Sequence, residues 1–383
     1  MMAERRWQLV LTASPLQGHM TPMLHLGTFL HSKGFSITIA HSEFNRPDPS
    51  KHPDFTFLPL PDNLSAMADF ASAVQFLQTL NDNCSPHFRE HLIQMMQKDK
   101  ESIVIVYDNL MLSVAGDLGL PSIILRTSSA SFFPAIKIIP QLHQQGRFPV
   151  QVPELHPLRY KDLPFVGLPI QYTLEVINMI VPKTPPSAIL WNTLEFLEPS
   201  ALTQLRDRYQ AIRCGRHLLH RTLLSLHITT AGSIANVDEK VSTEIAWGLA
   251  NSTQPFLWVV RPVGGFWSHC DWNSTLESMF EGVPMLCQPF ELDQKVNSRY
   301  LSYVWKMGVE VVERGEIEDA IRRVLVCKEG EELKQRAMEI QEKIIILFES
   351  IKNGHDMVVS MLVEAGAFLD MDNVGNRLCM PER

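Results

Sequence analysis

Apolar residues in the first half of the chain form short runs that alternate with stretches of helical spacing. Nearly continuous apolar runs occur in WQLVLTASP, SIVIVYD and PSIILRTS, which is typical of strands buried on both faces of a parallel sheet. Helical spacing occurs in TPMLHLGTFLHSKG, which ends at Gly34, and again over residues 72–99. These repeated strand–helix–strand units predict an α/β fold with a doubly wound parallel sheet.

A second series of such units follows residue 220. Strands are predicted in QPFLWVVRP, GGFWSH and VPMLCQPF, and helices in WNSTLESMFEG, over 293–305 and within 316–349. The pattern therefore predicts a second doubly wound unit. We expect an N-terminal domain over 1–200, a linker over 201–222, a second domain over 223–350, and a C-terminal helix and tail over 351–383.

Composition narrows the class of protein. The chain has 34 basic and 42 acidic residues, a net charge of −8 and no basic run, which argues against a nucleic-acid partner. No stretch approaches the roughly 18 apolar residues of a membrane-spanning helix. The six cysteines form no CxxC pair, so we expect neither a disulfide framework nor a zinc site, and a reducing, cytoplasmic setting.

Two titratable residues come at strand ends in the first half. His19 lies in the turn after the first predicted strand, and Asp108 ends the run SIVIVYD. Carboxyl ends of parallel strands share one edge of the sheet, so the Asp108 carboxylate is expected to orient the His19 ring for general base catalysis. Taken singly, His19 is as well explained as an ordinary loop histidine, and Asp108 as the cap of the next helix.

The second half carries a longer string of polar residues around a predicted helix start. Free N–H groups and the positive end of the helix dipole near Asn273 and Ser274 suit a diphosphate. Glu277 lies one turn further on, where it suits ribose hydroxyls, and Asp293 and Gln294, at the end of another predicted strand, suit sugar hydroxyls. The alternative is that Asn273 and Ser274 are N-caps, with Glu277 as a capping-box partner.

Several of these segments resemble plant UDP-glycosyltransferases of carbohydrate-active family 1. The second half of that family's donor-binding signature resembles FWSHCDWNSTLES…GVPM…P…DQ in this chain. QGHMTPMLHL and VIVYD resemble its catalytic segments, and LRYKDLP and ILWNTLEFLE its acceptor-domain landmarks. The resemblance covers roughly residues 5–345 and implies the GT-B fold of two facing Rossmann-like domains. It is strongest to the branch that glucosylates flavonols, terpenoids and cytokinins.

The resemblance also implies an activity. His19, paired with Asp108, would deprotonate a small lipophilic acceptor that then attacks a UDP-sugar, most often UDP-glucose, with inversion. It implies a monomer that uses the UDP-sugar as co-substrate, with no cofactor and no metal. The implied donor-binding residues are Ser233, His269, Trp272 through its backbone, Asn273, Ser274, Glu277, Asp293 and Gln294.

The chain departs from the family pattern before its donor signature. The Trp-x-Pro-Gln segment that contacts uracil and ribose is absent, because Val260 is followed within four residues by Gly264. Four Cα steps reach at most ~14 Å, whereas returning to the start of a parallel five-residue strand requires roughly 17 Å. Residues 256–260 and 264–268 are therefore not expected both to take family positions, which makes the C-terminal domain truncated.

These departures, together with an atypical C-terminus, leave a catalytically inactive, acceptor-binding remnant as the alternative function. A nicotinamide dehydrogenase is disfavoured because G-x-G-x-x-G is absent. Asp271 stands where the family pattern has glycine. We expect its charge to oppose a diphosphate, the alternative being that its carboxylate turns to solvent and favours the helix start.

Overall fold

The computed structural model describes residues 7–64, 73–99, 103–108, 112–146, 156–165, 169–180, 185–208, 212–214, 264–311 and 316–351. These residues form two compact units. One contains the described residues up to 127 and those of 174–214, and the other those of 128–173 and 264–351. The linker expected over 201–222 lies partly outside the described ranges, and the domain limits stay a prediction.

The first unit is built on a seven-stranded parallel sheet with the order β3-β2-β1-β4-β5-β6-β7. The strands are β1 (Gln8–Thr12), β2 (Ser36–Ser42), β3 (Thr56–Leu60), β4 (Ile103–Tyr107), β5 (Ser122–Arg126), β6 (Ala188–Trp191) and β7 (Ile212–Cys214). The helices along this part of the chain are α1 (Gln17–Ser32), α2 (Ala73–Asp99), α3 (Leu112–Asp117), α4 (Phe132–Gln144), α5 (Ile170–Ile180) and α6 (Pro199–Arg208).

The order of the strands reverses at β1, which lies between β2 and β4. The apolar runs predicted as strands β1, β4 and β5 are confirmed. Leu9 and Leu11 of β1 pack with Val104 and Val106 of β4 and with Met23 of α1 in one buried cluster. Because Thr12 pairs with Tyr107 in register, β1 and β4 end at the same edge of the sheet.

The second unit contains a three-stranded parallel sheet with the order β10-β9-β8. Its strands are β8 (Phe266–Ser268), β9 (Met285–Cys287) and β10 (Gly308–Glu310). Its further helices are α7 (Trp272–Glu281), α8 (Asp293–Arg299), α9 (Ile317–Leu325) and α10 (Lys328–Ile351). Among the described helices, none is long and apolar enough to cross a membrane.

One sequence expectation changes in this unit, and a second stays a prediction. The single helix predicted over 293–305 is α8 followed by a π-helical turn, Tyr300–Val304. β8 keeps a regular parallel pairing with β9, from Phe266↔Met285 to Ser268↔Cys287. The expected conflict between residues 256–260 and 264–268 stays a prediction, because residues 256–260 lie outside the described residues.

The segment LRYKDLP is tied to β10 by ion pairs. The Arg159 guanidinium donates to Asp162 Oδ2 from Nε at 2.8 Å and to Glu310 Oε2 at 2.8 Å. Lys161 Nζ lies 3.3 Å from the same Glu310 oxygen. Burial by itself would raise the pKa of Glu310, but the hydrogen bonds from Arg159 and the charge of Lys161 hold it below its usual range. The segment LRYKDLP is therefore held to β10 within the second unit by these ion pairs.

Gly282 ends α7 with a left-handed backbone, φ 63°, and a Cβ there would lie 2.7 Å from Gln341 Oε1. Gln341 Nε2 donates to Phe280 O at 2.7 Å, so moving this side chain breaks a bond. We expect Gly282→Ala to lower the free energy of unfolding by about 2 kcal/mol, half from the backbone and half from that bond.

The matched control is Gly146→Ala, because Gly146 has φ 62° but a Cβ added there would meet no atom of the described residues within 4 Å. It should cost only the backbone part, about 1 kcal/mol in chemical denaturation. Equal losses in the two variants would contradict the role given to Gln341.

Candidate active site

His19 and Asp108 meet at the edge where β1 and β4 end. His19 is the third residue of α1, and its Nδ1 lies 2.6 Å from Asp108 Oδ2. The Asp108 side chain is 1% exposed, whereas that of His19 is 25% exposed. Because a carboxylate oxygen accepts, Nδ1 carries the proton in this pair, and in the neutral ring Nε2 then carries the lone pair. The structure thus brings together the two residues that the sequence singled out in this half.

Two further groups hold this pair, and sequence reasoning missed both. The backbone N–H of Ser14 donates to Asp108 Oδ1 and Oδ2 at 3.2 and 3.1 Å. Thr127 Oγ1 lies 3.1 Å from His19 Nδ1. Asp108 directly follows β4, and Thr127 directly follows the neighbouring strand β5. The sequence therefore did contain a signal for Thr127, namely a polar residue at the end of a buried strand.

The donor signature forms a sharp turn between β8 and α7. Cys270 has a left-handed backbone, φ 65°, which a non-glycine residue adopts only at a cost. Its N–H donates to Ser268 Oγ at 3.0 Å and its carbonyl accepts from Asn297 Nδ2 at 2.9 Å. These bonds hold the unusual conformation and deliver His269, of which 5% is exposed, to the start of the helix.

Asp271, rather than Asn273 or Ser274, is the N-cap of α7. Its backbone is extended, φ −60° and ψ 161°, and its Oδ1 accepts from the Ser274 N–H at 3.1 Å. The positive φ of this turn falls on the preceding residue, Cys270, and not on Asp271. The capping-box alternative for Ser274 and Glu277 is wrong, since neither occupies the cap.

Trp272, Asn273 and Ser274 form the first turn of α7, with Glu277 in the next turn. Trp272 is 2% exposed and its ring lies 6.1 Å from that of Trp305, so its side chain belongs to the core. Burial, and then the charge of Asp271, raises the pKa of Glu277 to about 7. A carboxyl group that exchanges a proton near neutral pH therefore lies beside the start of this helix.

Asp293 and Gln294 begin α8 instead of ending a strand, since β9 already ends at Cys287. The backbone N–H groups of Phe290 and Glu291 donate to Gln294 Oε1 at 2.9 and 3.2 Å. Because both partners are donors, the carboxamide oxygen faces this loop and the NH₂ group is the end that can donate to a ligand.

Asn297 connects the two parts of this site, and sequence reasoning did not identify it. Its Nδ2 donates to the Cys270 carbonyl at 2.9 Å and to Asp293 Oδ2 at 3.2 Å. The side chain thus joins the turn before α7 to the first residue of α8. Its signal in the sequence was only its position, one helical turn after Asp293.

The structure therefore shows two groups of predicted residues, one in each unit. His19 and Asp108 lie in the first unit, and the described residues predicted to bind the donor, His269 to Gln294, lie in the second. Ser233 lies outside the described residues. Within the parts of the chain that the structure covers, no three His, Cys, Asp or Glu side chains are grouped as a metal site would require.

Comparison with known proteins decides the family. The family model for UDP-glucoronosyl and UDP-glucosyl transferases matches residues 261–342. UDP-glycosyltransferase 76H1 of Stevia rebaudiana is 48% identical over 412 positions, which cover 87% of this chain and 97% of that protein. The chain belongs to the plant family 1 UDP-glycosyltransferases. Flavonol 3-O-glucosyltransferase UGT76E12 of Arabidopsis thaliana is 35% identical and covers 91% of the chain and 94% of its own length.

Solved structures show that this glycosyltransferase has the GT-B fold. Phytolacca americana UGT2, complexed with UDP-2fluoro-glucose and pterostilbene, matches with a TM-score of 0.76 and 20% identity over 91% of this chain and 99% of its own. TcCGT1 in complex with UDP matches with a TM-score of 0.76 and 21% identity over 95% and 99% of the two chains.

The alignment with the Stevia glycosyltransferase also shows missing segments. Its 412 positions take up 87% of this 383-residue chain, about 333 residues, so roughly 79 positions have no counterpart here. Relative to the Stevia protein, this chain therefore lacks internal segments.

Asn297→Ala tests the connection between the two helix starts. It leaves the buried Cys270 carbonyl without its side-chain donor, so we expect a loss of about 2 kcal/mol in unfolding free energy. Amide hydrogen exchange over 268–274 should also become faster, because the left-handed turn loses a restraint.

Ser298→Ala is the control for Asn297→Ala. Ser298 is 2% exposed, and its Oγ has no hydrogen-bond partner among the described residues, so its loss removes volume without removing a bond. If exchange over 268–274 rises equally in both variants, Asn297 is not a specific restraint on the turn.

Proposed function

We propose that this glycosyltransferase transfers glucose from UDP-glucose to a hydroxyl or carboxyl group of a small lipophilic acceptor, with inversion and with His19 as the base. The observation that carries the proposal is the 2.6 Å contact between His19 Nδ1 and the buried Asp108 carboxylate. Catalysis by proton removal needs such an oriented imidazole. The names of the relatives support the donor, since one is a flavonol glucosyltransferase and another was solved with a fluorinated UDP-glucose.

The chemistry follows from the tautomer of His19. With the Nδ1 proton held by Asp108, Nε2 removes the proton of the acceptor hydroxyl. The hydroxyl oxygen then bonds to the anomeric carbon, and the bond from that carbon to the diphosphate oxygen breaks, so UDP leaves with the electron pair. A single displacement of this kind inverts the anomeric centre. The Asp108 carboxylate stabilises the imidazolium, as the aspartate of a catalytic triad does.

On the donor side, the proposal assigns the diphosphate to His269, Asn273 and Ser274 at the start of α7, where backbone N–H groups and the helix dipole favour negative charge. Glu277 accepts hydrogen bonds from the ribose, while Asp293 and the Gln294 NH₂ group bind the sugar. The proposal includes no metal and no cofactor, and it assigns Ser233 to the phosphates. Cytoplasmic location and a monomeric state stay predictions.

The alternative is an inactive, acceptor-binding remnant. It is favoured by one observation, that Val260 to Gly264 leaves no room for the Trp-x-Pro-Gln segment expected to contact uracil. Isothermal titration with UDP-glucose separates the two. A dissociation constant below about 1 mM supports the transferase, whereas no heat at millimolar donor supports the remnant.

His19→Ala should lower turnover of a phenolic acceptor by about 10²-fold or more, because the base is gone. Affinity for UDP-glucose should stay unchanged, since the donor residues belong to the other unit. The matched control is His31→Ala, which removes a histidine from the far end of α1 and should leave turnover unchanged. Equal turnover in His19→Ala and the parent would remove His19 from the mechanism.

Donor binding should depend on pH through Glu277. The ribose hydroxyls favour the ionised carboxylate, so binding has to remove the proton that Glu277 holds below its pKa of about 7. We expect affinity for UDP-glucose to fall up to about tenfold per pH unit below 7 and to level off above pH 8. UDP-glucose is the right probe because its diphosphate does not titrate near neutral pH.

In Glu277→Gln, this part of the pH dependence should disappear and affinity at pH 8 should be lower. Glu281→Gln, at the other end of α7, should keep the pH dependence of the parent. If affinity for UDP-glucose falls below pH 7 by the same amount in Glu277→Gln as in the parent, another group causes the pH dependence.

A further inference from the structure

The start of α7 already holds an anion, the side chain of Asp271. Its Oδ1 accepts from the Ser274 N–H at 3.1 Å, and the same oxygen lies 3.6 Å from His269 Nε2. The carboxylate therefore occupies the position at a helix N-terminus that a phosphate oxygen takes, between a backbone N–H and an imidazole.

These contacts belong to the groups that the proposed function gives to the donor. Ser274 and His269 are two of the three residues assigned to the diphosphate. His269 is 5% exposed and cannot turn freely to a second anion, whereas the Asp271 side chain is 27% exposed. A diphosphate that approaches this helix thus meets a carboxylate that already accepts the Ser274 N–H and lies 3.6 Å from His269 Nε2.

We propose that Asp271 is a resident anion that competes with the donor diphosphate and so sets the affinity of this glycosyltransferase for nucleotide sugars. The inference rests on the proposed function. Binding of the donor requires the carboxylate to give up the Ser274 N–H and to remain, still charged, beside the phosphates. After burial, the charge of Asp271 is the second cause of the raised pKa of Glu277.

Asp271→Asn removes the negative charge but keeps the helix cap, because an asparagine side chain accepts the Ser274 N–H equally well. We expect Asp271→Asn to bind UDP-glucose about tenfold more tightly than the parent, with an unchanged melting temperature. The gain should shrink as ionic strength rises, because salt screens the repulsion. Asp271→Gly should also bind more tightly, but it should melt at a lower temperature because it loses the cap.

Glu281→Gln is the matched control, since it removes one negative charge from the opposite end of the same helix. It should change affinity by less than about twofold. If the parent binds UDP-glucose and Asp271→Asn binds it no better, the proposal is overturned while the transferase function stands.

Inorganic pyrophosphate provides a second probe that does not depend on the uracil contacts. If no variant binds UDP-glucose, the proposed function fails, and pyrophosphate then decides the role of Asp271. Tighter binding of pyrophosphate by Asp271→Asn than by the parent and Glu281→Gln supports the resident anion, and equal binding overturns it.

Discussion

The carboxylate of Asp108 is buried at the carboxyl edge of the first sheet, and burying such a charge is costly unless donors surround it. Ser14 provides a backbone N–H and His19 provides a ring N–H. The same bonds that make the burial tolerable fix the loop after β1, the first turn of α1 and the tautomer of the histidine. The burial of one carboxylate therefore also orients the His19 ring.

In the second unit, the comparable constraint is the left-handed backbone of Cys270. A non-glycine residue in that conformation costs about 1–3 kcal/mol and persists only when its surroundings determine it. Ser268 and Asn297 hold the Cys270 backbone in this conformation through hydrogen bonds to its N–H and its carbonyl. Because Asn297 also bonds Asp293, the turn that presents His269 and the helix that presents Gln294 are held as one piece.

Asp271 stabilises the start of α7, and on our proposal the same side chain hinders donor binding. As an N-cap it satisfies a backbone N–H that would otherwise lack a partner, a contribution of about 1 kcal/mol. As a fixed negative charge it fills a position suited to phosphate. Sequence reasoning presented capping and repulsion as alternatives; on our proposal both follow from the same contact, since the bonded oxygen is also the one near His269.

The sequence by itself determined the α/β class, the strands β1, β4 and β5, most helices and the pairing of His19 with Asp108. These follow from local patterns, namely apolar runs, helical spacing and the rule that parallel strands end at one edge. Its motifs also identified the family. It missed β7, a three-residue strand that exists through pairing with β6, and the π-helical turn after α8.

Only the tertiary structure decided which groups support the site. Thr127 and Asn297 act through contacts with residues 108 and 27 positions away, and no local pattern encodes such distances. The positive φ at Cys270 and the start of α8 at Asp293 were likewise set by hydrogen bonds across the turn and the loop. Local preferences select the elements of a chain, whereas the hydrogen bonds that orient its functional groups join residues that meet only after folding.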